Sequence, residues 1–422
     1  MSKIFSAVVR VVSLVLAAGT LLVALFVGFV LLSWDRPVNR PVVALKAPRD
    51  VEHVRRGRYL YEHSLLCWGC HGSEGSRNPS EPQAGGREFD MTRIGPGFGY
   101  AYGTNLTADA TTGIGAWSDG ELVRAIREGI DRKGRVIFPV MAYQFYHGLS
   151  DDDAMALVAY LRSLSPVRRE VPARRLSFVA KALIAVSFIE PESPITQPVA
   201  APTPGPTIAY GEYLAWHTSG CAECHTPRDP RTAALDVNRR LAGGLFPFPE
   251  EGFETTGSNL TPDESTGIGG WTEEQFSTAV RTGVRPDGTV LLPFMPWPSY
   301  AQWSPEDLLA VWIYLRSLPP ISHKIPASTL ARTAAATGRT RGQTIYDAYC
   351  VRCHGDNGRG SPFTSVPLRK AVHDLDEEAL NAFVAEGVPG GTMPGFGRTL
   401  SKDQIGDVAA FIGAWKTERI TR

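Results

Sequence analysis

The sequence predicts a mainly α protein: three small helical domains in tandem behind one N-terminal transmembrane helix. Three observations carry that reading. Residues 11–34 hold no charge between Arg10 and Asp35, the chain matches itself at a shift of 154 residues, and a Cys-x-x-Cys-His frame occurs three times and uses all six cysteines. At 422 residues the chain is too long for one domain, and ordinary domain sizes suggest about three. Lys plus Arg and Asp plus Glu are both 43, so the zero net charge gives no ground for a nucleic-acid partner. With 43% hydrophobic residues, 42 Gly and 32 Pro, the units should be globular and rich in loops.

As a helix, the uncharged stretch reaches roughly 36 Å, enough to cross a hydrocarbon core of about 30 Å. A secretory signal has a shorter apolar core, of about 7 to 15 residues, and then a small-x-small cleavage site. No such site follows Val30, so residues 1–34 are expected to form an uncleaved anchor. Lys3 and Arg10 precede the helix and Arg36, Arg40, Lys46 and Arg49 follow it. By charge alone this would put the N-terminus outside.

The repeat orders the rest of the chain. Cys67 falls on Cys221, Asn105 on Asn259, Trp117 on Trp271, Met141 on Met295 and Tyr160 on Tyr314, and NLTADATTGIGAWSDGEL (105–122) becomes NLTPDESTGIGGWTEEQF (259–276). The third unit is shorter, with 39 positions from His354 to Met393 against 70 in each earlier copy. The expected domains are 50–166, 207–318 and 340–418. They are joined by linkers at 167–206, with six prolines in 191–206, and at 319–339. Each unit reads as a leading helix, the Cys frame, a long loop and a terminal helix. Ser150, Ser304 and Ser401 open the terminal helices, with Asp153, Asp307 and Gln404 three residues on. Gly57, Gly211 and Gly342 should let leading and terminal helices cross closely. The apolar run 176–189 contains Lys181 and is too short to span, so it packs on protein or lies on the bilayer surface.

Cys-x-x-Cys-His is the attachment frame of c-type haem. The thiols of Cys67 and Cys70, Cys221 and Cys224, and Cys350 and Cys353 would bond the porphyrin vinyl groups, and His71, His225 and His354 would bind the irons. A redox dithiol needs no histidine, and a zinc site needs paired ligand sets converging on one metal. An electron carrier also needs a sixth ligand, and pairing methionine with histidine raises the potential. Met141 and Met295 occupy matched places before the terminal helix and Met393 does the same in the short unit; Met91 falls on a leucine and Met155 lies within a helix. His63 and His217 match each other but read as structural. The Asn105 and Asn259 sequons should serve turn hydrogen bonds, Asp151 to Asp153 should be helix-start charge, and Arg55, Arg56, Arg58, Arg168, Arg169, Arg174 and Arg175 should be solvated surface.

CAECHT, NLTPDESTGIGGWTEEQF and LPFMPWPSY in the second unit, with CVRCHG and TMPGF in the third, resemble the three-haem cytochrome c subunit of bacterial membrane-bound dehydrogenases, such as alcohol, gluconate and aldehyde dehydrogenase complexes. The likeness covers roughly residues 50–420. It implies three covalently bound haem c groups in cytochrome c-like domains. It also implies electron relay from a periplasmic dehydrogenase subunit of flavin, quinone-cofactor or molybdenum type to ubiquinone, an oxidase or a soluble cytochrome. Haem attachment in bacteria happens outside the cytoplasmic membrane, so the domains are expected in the periplasm and the N-terminus inside, against the charge count. A haem enzyme of peroxidase or nitrite reductase type, or a fixed subunit of a terminal oxidase, are the alternatives.

Overall fold

The chain is mainly helical. Its structure, a computed structural model, describes residues 2–72, 82–92, 97–229, 232, 234–244, 248–250, 253–292, 294–326, 329–330, 340–355, 358–360, 367–389 and 391–417. Much of the second expected linker, 319–339, and residue 418 lie outside them. Helix α1 (Ser2–Ser33) contains Ile4–Ser33, which is long and apolar enough to cross a membrane. Its apolar side chains point outward all round until Val30, which is fully buried.

The first unit has a leading helix α2 (Val51–Tyr59), a middle helix α3 (Asp119–Glu128) and a terminal helix α4 (Asp151–Ser163), followed by α5 (Phe178–Ala185). The second has α6 (Ile208–Tyr213), α7 (Glu273–Thr282) and α8 (Pro305–Ser317), and the third α9 (Arg341–Ile345), α10 (Glu377–Glu386) and α11 (Lys402–Gly413). All three leading helices widen into a π-helical turn, Leu60–Ser64, Leu214–Thr218 and Tyr346–Cys350, immediately before or into the frame. Such turns shift helix register by one residue and are common at functional sites.

Leading and terminal helices cross at glycine. A Cβ on Gly57 would lie 1.9 Å from Ala156 O, on Gly211 2.0 Å from Ala310 O, and on Gly342 2.0 Å from Asp407 O. The obstacle is backbone, which no rotamer change relieves. Gly211→Ala is therefore expected to destabilise the second unit by about 3 kcal/mol, at the upper end of overpacking effects, read as a lowered urea midpoint. Around each crossing sits one core: Leu60, Tyr61, Leu157 and Leu161; Leu214, Tyr300, Val311 and Leu315; Ile345, Tyr346, Val408 and Ile412.

The long loop holds more than expected. Strands β1 (Glu88–Asp90), β2 (Gly99–Tyr102) and β3 (Arg175–Leu176) form an antiparallel sheet in that order, and β4 (Phe248–Glu250), β5 (Phe253–Thr255) and β6 (Thr329–Leu330) form its counterpart. Strands β3 and β6 come from chain after the terminal helices, so these segments fold back on the unit they leave.

Ser150, Ser304 and Ser401 each accept a backbone N–H three residues on, but only Ser401–Gln404 completes the reciprocal box. Asp153 and Asp307 turn away to bind across units. Tyr213 donates to Asp153 Oδ2 at 2.7 Å and Tyr59 donates to Asp307 Oδ2 at 2.8 Å, so two copies of one fold meet through reciprocal contacts. Arg56 adds 2.7 and 2.9 Å bonds to Asp153, and Arg127 a 2.6 Å bond to Asp151. The helix-start reading of Asp151 to Asp153 is thus incomplete. The solvated reading of the basic runs holds for Arg55, Arg58, Arg168 and Arg175, which stay exposed even where Arg58 reaches Glu62 and Arg175 the Tyr102 hydroxyl. It is corrected for Arg56 and Arg174, half-buried in ion pairs with Asp153 and Asp35. Folding buries enough counter-charge to recruit them.

These tyrosines predict alkaline instability. Burial, and then Asp307, raises Tyr210 to about 12, and burial with the facing aspartate also raises Tyr59 and Tyr213. An unfolded tyrosine ionises near pH 10. The folded state then holds more protons than the unfolded one, so the stability present below about pH 10 falls as pH rises towards about 12. Denaturant midpoints across that window should drop, and Tyr210→Phe should make the drop shallower.

Candidate haem-attachment sites

Each frame is coiled into a short helical turn: Trp68–His71, Cys221–His225 and Val351–His354. Helical winding puts residues three apart on one face, so both thiols of a frame point to the same side and the histidine follows them. The six thiols form no disulfide. Burial raises Cys67 and Cys350 to about 12 and also raises Cys70, Cys221 and Cys224, so these are neutral thiols in an apolar cleft.

The first two histidines are held alike. His71 Nδ1 lies 2.9 Å from Thr104 O and His225 Nδ1 lies 2.7 Å from Ser258 O. A carbonyl accepts only from N–H, which puts the proton on Nδ1 and leaves the Nε2 lone pair available. This is the outer partner that metal-binding histidines characteristically have. Burial lowers both histidines, and His354 to about 4, which keeps them neutral. His354 Nδ1 is buried without a hydrogen-bond partner among the described residues. The carbonyl-bearing loop segments lie close because glycine precedes Thr104 and Ser258: a Cβ on Gly103 would fall 1.9 Å from Cys70 O, and on Gly257 1.8 Å from Cys224 O. The sequence reading missed Thr104, Ser258 and these glycines, although all four match at the 154 shift beside the asparagines it singled out.

Those asparagines are 2% and 3% exposed. Asn105 donates to Val167 O at 2.9 Å and accepts from Thr107, and Asn259 repeats this with Ile321 and Thr261. They tie the repeated loop to the chain leaving the terminal helix.

One cavity of about 2830 Å³ is lined by Cys67, Cys70, His71 and Met141 of the first unit and by Cys221, Cys224, His225 and Met295 of the second. It reaches Asp347, Ala348 and Val351 at the third frame. Tyr146 packs against both the first and the second core and lines this cavity with Tyr300 and Glu223, three residues the sequence reading did not single out. Met141 and Met295 sit in matched turns. Ala142, which replaces proline, adopts φ −75° and ψ 45° against −80° and 46° for Pro296. Met393 and Cys350 pack on the same third core.

The remaining histidines are engaged elsewhere. His217 Nδ1 bonds Phe145 O at 2.8 Å, His323 Nδ1 bonds Ala242 O at 2.8 Å, and the His63 ring lies edge-on to Tyr59. Met91 is 3% exposed in a cluster beneath the first sheet. In the first two units the donor set therefore fits covalent haem: paired thiols, an imidazole with an available Nε2, and a thioether lining the same cavity.

Comparison with known proteins agrees. The family model "Cytochrome c" matches residues 54–165, and "Cytochrome C oxidase, cbb3-type, subunit III" matches residues 338–412. The gluconate 2-dehydrogenase cytochrome c subunit of Pantoea cypripedii is 30% identical over 86% of this chain and 85% of its own length. The cytochrome c subunit of the quinone alcohol dehydrogenase of Gluconobacter oxydans is 28% identical over 86% of this chain and 78% of its own. A nicotinate dehydrogenase subunit of Pseudomonas putida is 31% identical over 82% of this chain, which spans 29% of that longer relative. The chain belongs to the family of cytochrome c subunits of membrane-bound dehydrogenases, electron-transfer proteins that carry covalently attached haem c.

Proposed function

We propose that the chain holds three haem c groups, one in each of the units 50–166, 207–318 and 340–418, and relays electrons from a dehydrogenase subunit to an acceptor at the membrane. The observation that carries this reading is the one cavity that joins the thiols, histidine and methionine of the first unit to those of the second and reaches Asp347, Ala348 and Val351 beside the third frame. Haem iron supplies reversible one-electron exchange when bound. The chain's own residues do the rest. Each cysteine pair would hold the porphyrin covalently, and His71, His225 and His354 through Nε2 and Met141, Met295 and Met393 through Sδ would hold the iron. Thr104 and Ser258 orient the first two imidazoles.

Anchor 1–34 ties the units to the bacterial cytoplasmic membrane, N-terminus inside, with the haem units in the periplasm. The periplasmic partner oxidises its substrate on a flavin, quinone cofactor or molybdenum centre. Electrons then leave to ubiquinone, or to an oxidase or soluble cytochrome. The relatives are named for nicotinate, alcohol and gluconate yet each aligns with most of this chain, which supports placing substrate choice on the partner.

The purified chain tests the count. Its pyridine haemochrome spectrum should give three equivalents of haem c per polypeptide, and Cys350→Ser with Cys353→Ser should remove one. Two equivalents in the unaltered chain would dismiss the third site. Reoxidation of the dithionite-reduced chain by ubiquinone in proteoliposomes tests the acceptor.

A further inference from the structure

Helix α5 follows the first unit and packs on the end of the anchor. Ala180 and Ile184, one helical turn apart, are buried beneath it with Leu176 and Phe138, and Trp34 packs against the same cluster. The Phe178 ring meets Phe26 of α1 edge-on at 6.4 Å between centroids. Beside this contact four large apolar side chains of α5 and its exit stay exposed: Phe178, Val179, Val186 and Phe188 at 42, 39, 51 and 53%. Four large apolar side chains on one short segment form a patch of the kind that marks an interaction surface.

The anchor says what covers it. Thirty residues, Ile4–Ser33, reach about 45 Å as a helix against a hydrocarbon core of about 30 Å, so a centred helix enters the headgroups within its last turn or two. Phe26 lies roughly 10 Å before that helix's end, at or inside the boundary. Phe178 touches Phe26 and so shares its depth. Above this layer Lys181 Nζ stands 4.9 Å and the Arg174 guanidinium 5.3 Å from the centre of the Trp34 ring. Asp35, next along, pairs with Arg174 at 2.8 Å and with Arg135 at 3.6 Å. The order is apolar, then tryptophan with cations, then ion pairs, which is the order of a bilayer from acyl chains to water.

We infer that α5 and the 186–188 turn are a membrane-interface element: Phe178, Val179, Val186 and Phe188 insert among lipid acyl chains beside the anchor and fix how the first unit faces the membrane. This rests on α1 crossing the bilayer, as proposed above. Two contacts, the spanning helix and the α5 patch, define an orientation that a single helix on a loop would leave free.

The full-length haem-loaded chain, reconstituted in vesicles of phosphatidylethanolamine and phosphatidylglycerol, tests this with single nitroxide labels on Val179→Cys and Val186→Cys. Leu16→Cys in α1 and Val237→Cys on the second unit serve as references. Power saturation should show several-fold greater access to oxygen than to a water-soluble nickel chelate at 16, 179 and 186, and the reverse at 237. Oxygen preference at 16 with nickel preference at both 179 and 186 overturns the inference and leaves the anchor standing. Nickel preference at 16 as well overturns the anchor and the inference together. Labels at 179 and 186 that neither reagent reaches would mean that a second copy of the chain covers the patch, which also overturns it.

Discussion

Met295→His is expected to lower the midpoint potential of the second haem by a few tenths of a volt, within the range of about 0.8 V that axial ligands span. Thioether stabilises reduced iron relative to a second imidazole, which is why methionine raises the potential. The turn that presents Met295 is fixed at both ends, its N–H donating to Leu292 O at 3.0 Å and its carbonyl accepting from Trp297 N at 2.8 Å, so the new side chain starts from the same place. For one-electron transfer about 59 mV is a tenfold change in equilibrium. A drop of about 0.2 V therefore moves the equilibrium between the second haem and its neighbours by roughly three decades, enough to stall the relay. Spectroelectrochemical titration should show the shift together with loss of one haem's share of the sulfur-to-iron band. Met155→Leu, in the terminal helix, should move neither. An unchanged potential in Met295→His would remove this residue from the iron.

The reason such a residue could be picked from sequence is that covalent chemistry leaves a rigid spacing. The thiols and imidazole must sit on one helical turn, so CAECH is legible without any fold. Met295 rests on a weaker signal, its match to Met141 at the 154 shift, and Ala142 shows why a local motif alone would mislead: the backbone reaches the proline-like conformation without proline. Leading and terminal helices were legible from apolar spacing, and Gly57, Gly211 and Gly342 from their placement. The middle helices were missed although their signals were present: Ser118–Glu121 and Thr272–Gln275 form full capping boxes, and Leu122, Val123 and Ile126 are buried at helical spacing in the first. The sheets were invisible for a different reason. Strands of two to four residues carry too little alternation to read, and β3 pairs with β2 across more than seventy residues. Long-range pairing also decided the charges. Nothing near Asp153 in sequence announces Arg56 or Tyr213, since a carboxylate three residues after a serine cap has a local partner within reach.

Asp153→Ala should be the most damaging change outside the haem sites, destabilising the first two units by about 3 kcal/mol, towards the low end for breaking a buried ion pair. Its carboxylate takes both forks of Arg56, at 2.7 and 2.9 Å, and the Tyr213 hydroxyl at 2.7 Å. The side chains are 9% exposed for Asp153 and 31% for Arg56, so water screens the arginine only in part. Removing the acid strands a partly buried guanidinium, while the Tyr213 hydroxyl keeps Ser150, and the stranded charge is most of the penalty. Asp307, at the matching place, serves the hydroxyls of Tyr59 and Tyr210, two neutral donors where Asp153 has a guanidinium. Its alanine variant should lose less, about 2 kcal/mol. The double variant Arg56→Met with Asp153→Leu removes both charges and should recover much of the loss, because a buried pair replaced by apolar side chains is often neutral. Denaturation followed at the Soret band should show the first two units melting earlier and the third unchanged. The same contacts set the spacing of the first two frames, so exchange between those haems should slow in Asp153→Ala and recover in the double variant. If the double variant is as unstable as Asp153→Ala, packing around the carboxylate and not the stranded charge holds the interface.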